Sequence, residues 1–229
     1  MNISIRLKTI ASLIDECNRI SDVGTDHAYL PIYLIKMGIC KEAIASDINR
    51  GPVQKAEHNI KREGLENKIT CRLGTGLTTI EPYEVDCAII AGMGGNLIRD
   101  IIEESKDVFK SLKYAVLQPV QNPDILRKYL YESGYDILEE ELCIDEGKYY
   151  EIIKVKYNNE PKILDDIYYE IGEKLIHKRH PLLKKYINHK INKYSNILSY
   201  IDDKTELAKL RRIELKRKIK KLEEIDLWL

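Results

Sequence analysis

The sequence predicts an α/β fold: a parallel sheet covered by helices, closed by a terminal antiparallel hairpin and followed by an α-helical module. Three observations carry the prediction. Strand-like and helical runs alternate five times between Ile20 and Ser133, the pattern of a parallel sheet with helices on both faces. The strand-like runs end in glycine or polar turns at Gly24, Asp47, Gly74-Thr75-Gly76, Gly92-Met93-Gly94-Gly95 and Gln118-Pro119. From Asp165 onward the spacing is helical and the charge changes sign.

Each element has its own signal. Ile5, Leu7, Ile10, Leu13 and Ile14 recur at helical spacing between Ile3 and Cys17, which predicts a helix ahead of the first strand, covering one end of the site. Arg6, on its other face, reads as a solvated charge, the commoner case, or as a group reaching toward nucleic acid. Ile20 and Val23 lead into Gly24. The run Ile32 to Met37 suits a packed helix stopped by Gly38. Ala43 to Ser46 is the second strand, ending in Asp47. Pro52 fits the first turn of the next helix, where its missing N–H costs nothing. Ile69 to Leu73 alternates as a strand. Val85 to Ala91 is almost continuously apolar, as in the centre of a parallel sheet. Asn96 to Phe109 reads as one helix, Tyr114 to Leu117 as the fifth strand, and Asp124 to Ser133 as a helix capped by Asp124. Gly134 to Ile144 and Tyr149 to Tyr157 are two strands joined across Asp145-Glu146-Gly147-Lys148, a hairpin turn.

The expected domains are 1–160 and 161–229. In the second, Ile167, Ile171 and Leu175 keep helical spacing until Pro181 interrupts. Leu183, Ile187, Ile191, Tyr194 and Leu198 follow, then a turn at Asp202-Asp203, then a helix from Leu207 to Ile225. The last two segments read as an antiparallel helical hairpin or short coiled coil.

Charge separates the two parts. The 229 residues sum to zero formal charge, but 1–160 carries 20 basic and 26 acidic residues, and 161–229 carries 17 and 11. A body at −6 with a tail at +6 suggests a polyanionic partner for the tail. Its expected exposed faces carry Lys184, Lys185, Lys190, Lys193, Lys209, Arg211, Arg212, Lys216, Arg217, Lys218, Lys220 and Lys221. The five cysteines lack C-x-x-C pairing and read as reduced thiols. No signal-like stretch and no run of 18 apolar residues is present, so a soluble cytoplasmic protein with no membrane partner is expected. A monomer is the working expectation. His177-x-x-His180 reads as a surface pair, and no metal site is expected.

The chemistry concentrates in S-D-V-G-T-D-H-A-Y-L-P, residues 21–31. A Gly turn after a strand admits a ligand close to backbone amides. An acid about 20 residues further on, here Asp47, is placed to accept from ribose hydroxyls. The full G-x-G-x-x-G pattern is absent: Asp26 and Tyr29 stand where the second and third glycines would be. An acid at the tightest point repels phosphate. Asp22 and Asp26 suit a phosphate-free ligand with a cationic centre, and S-adenosyl-L-methionine is such a ligand. The terminal hairpin points the same way, since it distinguishes a class I methyltransferase (Rossmann-like) sheet from an ordinary dinucleotide-binding one.

The motifs D-V-G-T-D-H-A-Y-L-P, S-D-I-N-R-G-P, R-L-G-T-G-L, I-A-G-M-G-G and L-Q-P together closely resemble the bacterial family that methylates N1 of adenine 22 in tRNA (TrmK-like), over essentially the whole chain. The resemblance implies that Asp22, Gly24 and His27 line the methionine side of the cofactor. It implies that Asp47 and Ile48 hold the ribose, that Gly74, Thr75 and Gly76 lie against adenine, and that Ala91, Gly92, Met93 and Gly94 floor the methyl-transfer pocket. It also implies that the C-terminal helices help to bind tRNA. Thr75 stands where the family commonly has Asp. Val120-Gln121-Asn122 follows Pro119 where the family often has Asn directly.

Adenine N1 has an in-plane lone pair and needs no deprotonation, so the demands are alignment and water exclusion. Asp26 is the candidate acceptor for the adenine amino group. Tyr29 is the candidate stacking platform for a base drawn out of its stack; packing between helix and sheet is its other reading. Rival functions are a nicotinamide-dependent oxidoreductase, a non-catalytic RNA-binding protein, and a methyltransferase acting on another RNA, a protein or a small molecule.

Overall fold

One seven-stranded sheet organises the first part of the computed structural model, which describes residues 3–202, 204–227 and 229. Its strands are β1 (Cys17–Val23), β2 (Cys40–Asp47), β3 (Ile69–Leu73), β4 (Cys87–Gly94), β5 (Tyr114–Gln121), β6 (Tyr135–Asp145) and β7 (Lys148–Tyr157). They lie in the order β3-β2-β1-β4-β5-β7-β6. The first five are mutually parallel; β7 runs antiparallel to both β5 and β6. The hairpin turn explains the reversal. Its central residues Glu146 and Gly147 have φ of 49° and 75°, the left-handed pair of a tight two-residue turn.

Between the strands run α1 (Ile5–Ser12), α2 (Tyr29–Lys36), α3 (Arg50–Arg62), α4 (Gly95–Glu104), α5 (Lys106–Ser111) and α6 (Pro123–Glu132). The near-continuous apolar runs of β1, β4 and β5 are buried: Ile20, Ile89, Ile90, Val116 and Leu117 have essentially no exposed surface. Burial on both faces is what a central parallel strand requires.

Three local expectations are corrected. The first helix stops at Ser12, and Cys17 opens β1 instead of closing α1. Its N–H donates to the Ile39 carbonyl at 3.0 Å, so pairing with β2 prevails over helical spacing. The helix expected over 96–109 is two helices, broken at Ser105, whose φ and ψ of −127° and 45° are not helical. Asp124 is not the cap of α6. Asn122 takes that place in a left-handed conformation, with Pro123 next and Asp124 in the first turn, where its charge meets the positive helix end.

Helix α6 is tied to the terminal hairpin by charge. Arg127 is wholly buried; its Nε lies 2.6 Å from Glu140 and its Nη2 2.7 Å from Glu151. One guanidinium thus holds a carboxylate from each hairpin strand.

The chain divides into two compact units, the first ending at Ile163 and the second spanning Leu164–Leu229. The second contains α7 (Asp166–Ile171), α8 (Glu173–His177), α9 (Leu183–Tyr200) and α10 (Glu206–Asp226). Helices α9 and α10 pack together. Lys184 near Asp226 and Arg212 bonded to the Ile201 carbonyl make the pair antiparallel. Asp203, half of the expected turn, lies outside the described residues.

The lysine-rich face needs correction. Lys190 is buried, and its Nζ donates to Glu170 at 2.6 Å; Lys218 donates to the same carboxylate at 2.8 Å. Burial alone would raise the Glu170 pKa, but the two ammonium groups outweigh it and bring it down to about 2. Lys221 pairs with Asp165 and Arg217 with Asp166. Exposed positive charge remains at Lys185, Lys193, Lys209, Lys216 and Lys220. His180 is also not a surface residue. It is buried, and its Nδ1 accepts from the Leu182 N–H at 3.1 Å.

Replacing Arg127 by Met leaves two buried carboxylates without their cation. The expected loss is about 3–5 kcal/mol, read as a fall in the urea midpoint. Adding Glu140→Gln and Glu151→Gln to the same chain is expected to recover part of it.

Candidate active site

The carboxyl ends of β1, β2, β4 and β5 meet around the turn that follows β1, where a doubly wound sheet places its ligand. Gly24 has φ of +79°, a conformation that favours glycine. The N–H groups of Gly24 and Thr25 both donate to the Ser46 carbonyl, at 2.8 and 2.9 Å. The turn is therefore clamped onto β2 next to Asp47. Ala28 begins α2 in a left-handed conformation, and its N–H donates to the Thr25 hydroxyl at 3.1 Å. A Cβ on Gly24 would stand 2.2 Å from Met93 Cε, so the tip of the Met93 side chain from the end of β4 lies directly over the β1 turn.

Asp22 is the buried charge of this site, at 8% exposure. Burial pushes its carboxyl up to about 6, against a Thr25 hydrogen bond and the Arg6 charge, which lower it; Asp47 raises it further. Asp47 is half-buried at the next strand tip, and its Oδ1 accepts from the Asn49 N–H at 2.8 Å. Ile48 beside it and Leu73 at the end of β3 are exposed apolar side chains. The backbone N–H of Gly74 donates to the Asp47 carbonyl at 3.0 Å, which draws the β3 turn alongside. Thr75 is exposed, and its hydroxyl lies 3.1 Å from the Thr78 hydroxyl. Gly76 packs so closely that a Cβ would meet Ile101 Cγ2 at 2.9 Å.

Ala91, Gly92, Met93 and Gly94 form the end of β4, where the ladder to β5 slips at Ala91/Met93 and again at Met93/Gly94. Such bulges redirect a strand next to a site. Gly95 is fixed by packing: a Cβ there would fall 2.3 Å from the Asn122 carbonyl oxygen. The segment Val120-Gln121-Asn122 thus lies against the start of α4.

Asp26, His27 and Tyr29 form a second group at the outer side of the turn. Asp26 is exposed and pairs with His27 Nε2 at 3.0 Å and Lys55 Nζ at 3.4 Å. The His27 ring stacks on Tyr29 with centroids 4.9 Å apart and planes 8° from parallel. Tyr29 retains 39% exposure, so its ring is not consumed by packing between helix and sheet.

The linear pattern gives Gln118 no role, and Arg6, expected as a solvated charge or a group reaching toward nucleic acid, is instead partly buried against Gln118. Arg6 leaves α1 and donates through Nη1 to Gln118 Oε1 at 2.7 Å. A Cβ on Gly92 would lie 3.7 Å from that same nitrogen. Its backbone N–H is held by Asp145 at 3.1 Å. The signal available was L-Q-P at the end of the fifth strand; no spacing rule connects it to Arg6.

These features fit a cofactor of one kind. The turn carries no Lys or Arg and offers no cradle for phosphate. Buried Asp22 suits an ammonium group, Arg6 a carboxylate, Asp47 a pair of hydroxyls, and Ile48 and Leu73 the faces of a flat ring. With the reversed seventh strand, they define a class I S-adenosylmethionine-dependent methyltransferase. The family TrmK, tRNA (adenine(22)-N(1))-methyltransferase, matches residues 20–224. The tRNA (adenine(22)-N(1))-methyltransferase of Bacillus subtilis is 34% identical over 172 residues, covering 75% of this chain and 72% of that relative. The crystal structure of the B. subtilis enzyme TrmK superposes with a TM-score of 0.86 at 30% identity, covering 98% of this chain and 99% of that one. A Streptococcus pneumoniae structure solved with S-adenosyl-L-methionine gives a TM-score of 0.87 at 33% identity over 98% and 99%. The chain belongs to the tRNA (adenine(22)-N(1))-methyltransferase family. It is an enzyme that transfers a methyl group from S-adenosyl-L-methionine to N1 of adenine in tRNA. Among the described residues, no helix is long and apolar enough to cross a membrane.

The raised pKa of Asp22 has a stability consequence. An acid whose folded pKa is above its unfolded value costs nothing while protonated in both states. The cost enters as pH rises through about 4 to 6 and is complete above that. Asp22→Asn is therefore expected to raise the melting temperature of the ligand-free protein by about 5 °C at pH 7.5, and by much less at pH 4.5. An equal gain at both pH values would remove the ionised carboxylate as its source.

Proposed function

We propose that the strand-end residues divide the work of binding and transfer as follows. Asp22 pairs with the amino group of the methionine moiety, Arg6 with its carboxylate, and the Gly24 turn with His27 closes that side. Asp47 accepts from both ribose hydroxyls, with Ile48, Gly74, Thr75 and Gly76 flanking the adenine. Ala91, Gly92, Met93 and Gly94 form the floor beneath the transferred methyl. The observation that carries this reading is the pair of carboxylates on adjacent strand tips around a turn without Lys or Arg.

S-adenosylmethionine, when bound, supplies a methyl group on a sulfonium, an electrophile needing no further activation. The protein then has to position the adenine and keep water out. The N1 lone pair lies in the ring plane, so no residue must remove a proton before attack. Methylation leaves positive charge on the ring, and Asp26 at the mouth is placed to accept from the exocyclic amino group. Its present partners, His27 and Lys55, hold that carboxylate in place until the base arrives. The stacked His27–Tyr29 pair offers an aromatic face to a base taken out of its stack, where such contacts are worth about 1–3 kcal/mol.

The unit from Leu164 onward supplies electrostatic affinity for tRNA through its exposed lysines, on a body whose net charge is negative. The protein acts as a monomer in the cytoplasm. Transcripts of tRNA incubated with tritiated S-adenosylmethionine are expected to yield labelled 1-methyladenosine, and a transcript with guanine at position 22 none. Label in another nucleoside would overturn the assignment.

Asp47→Ala removes two charge-assisted hydrogen bonds, each worth about 1.5–3 kcal/mol. The expected loss of S-adenosylhomocysteine affinity is about 100-fold or more by calorimetry. Unchanged affinity would take Asp47 out of the ribose site.

Reversing Lys185, Lys193, Lys216 and Lys220 together is expected to weaken tRNA binding and flatten its dependence on log salt by about 0.7–0.9 per lost phosphate contact. Cofactor affinity should stay constant. An unchanged salt slope would move the RNA contact to the first unit.

A further inference from the structure

At the opposite end of the sheet from the Gly turns, the amino ends of three strands bring cysteines together. Cys17 opens β1 and Cys40 opens β2, and they are direct partners in the parallel register. Their sulfurs are 2.8 Å apart. Cys87 opens β4, and its thiol also interacts with that of Cys17; in the Cys17–Cys40 contact either sulfur can be the donor. The three residues differ in access. Cys40 and Cys87 are buried, whereas Cys17 is partly exposed. It helps line a cavity of about 220 Å³ whose rim includes Asn18, Lys41 and Lys113. None of this belongs to the site that binds cofactor, which lies at the carboxyl ends of the same strands.

We propose that Cys17 and Cys40 form a redox-active dithiol, in which Cys17 reacts with hydroperoxides and Cys40 closes the disulfide. The division of roles follows from access and hydrogen bonding. The thiolate is the reactive form of cysteine. Two neighbouring S–H groups stabilise charge on Cys17 and lower its pKa, while the same bonds, together with burial, raise those of Cys40 and Cys87. Cys17 is thus both the thiol that ionises first and the one an oxidant can reach.

The chemistry balances with hydrogen peroxide as oxidant. The Cys17 thiolate attacks one peroxide oxygen, the O–O bond breaks, and the departing hydroxide takes a proton from solvent to become water. Cys17 is then a sulfenic acid. The Cys40 sulfur attacks the Cys17 sulfur, the S–O bond breaks, and the hydroxyl leaves with the Cys40 proton as a second water. Two thiols are oxidised by two electrons, and one peroxide is reduced to two waters. An external dithiol reverses the bridge by exchange.

The bridge spans 23 residues of chain, which include the whole Gly24-to-Tyr29 turn and α2. Tying the ends of that segment restricts the unfolded chain. The tie lies at the strand ends away from the site, so the turn itself keeps its geometry.

The test uses the full chain treated with hydrogen peroxide, capped with a maleimide and digested without reductant. Peptide mass spectrometry is expected to show a Cys17–Cys40 link that dithiothreitol removes, with Cys71, Cys87 and Cys143 capped. The oxidised protein is expected to melt about 5–10 °C higher than the reduced one, with S-adenosylhomocysteine affinity within twofold. In Cys40→Ser, a sulfenic acid on Cys17 should be trapped by dimedone; in Cys87→Ser, the bridge should still form. Mapping on the unsubstituted chain stands even where a variant misfolds. A Cys17–Cys87 link, oxidation of Cys71 or Cys143 at the same rate, or conversion of Cys17 to sulfinic acid without a bridge would each overturn the proposal.

Discussion

A buried carboxylate at the tip of β1 is the constraint to which the first unit answers. Asp22 is almost out of water, and an isolated charge there would neutralise or unfold its surroundings. Around it stand the Thr25 hydroxyl and the Arg6 guanidinium, both of which favour the ionised form. Arg6 comes from the helix ahead of the sheet, which gives α1 a role in the site and not only in covering the core. Even so, the carboxyl keeps a pKa near 6, so the stabilisation is incomplete. An ammonium group from a ligand is the complement that would finish it.

Close approach is the second theme. The β1 turn touches Met93, and the β5 extension lies against Gly95. Gly95 is needed because a Cβ would collide with backbone, and Gly24 because its φ of +79° disfavours any other residue. The slipped ladder at the end of β4 and the left-handed Asn122 are the backbone adjustments that let these turns meet. The apparent departure after Pro119 is accommodated here: Asn122 opens α6 by its backbone conformation, and its carbonyl sits over Gly95. Thr75 instead keeps its hydroxyl near Thr78, a neutral group at the turn that follows β3.

In the second unit, charge serves two purposes that composition cannot separate. Lys190 and Lys218 neutralise Glu170 inside the helical bundle, and Arg217 and Lys221 fasten the start of α7 to α10. Breaking a buried pair of this kind leaves an uncompensated charge and is costly. The remaining exposed lysines can meet phosphate without such a cost. A net charge of +6 therefore overstates the surface available to a polyanion.

Much of the fold was legible in the sequence because its signals are local. Most strand and helix periods, Gly24 and Gly74 at strand ends, and the Glu146-Gly147 turn each depend on a few neighbouring residues and fall where expected. The acids of the first two turns were legible for the same reason. The tertiary structure decided what depends on distance through space. It broke the helix at Ser105, moved Cys17 into β1 by pairing it with β2, and took Lys190 from the surface into the bundle. It joined Arg6 to Gln118, 112 residues away, and set His27 against Tyr29 as a stacked pair. A periodic pattern records which face of an element is buried. It does not record which distant charge or ring will occupy the other side of the contact, because that is set by how the sheet brings the strand ends together.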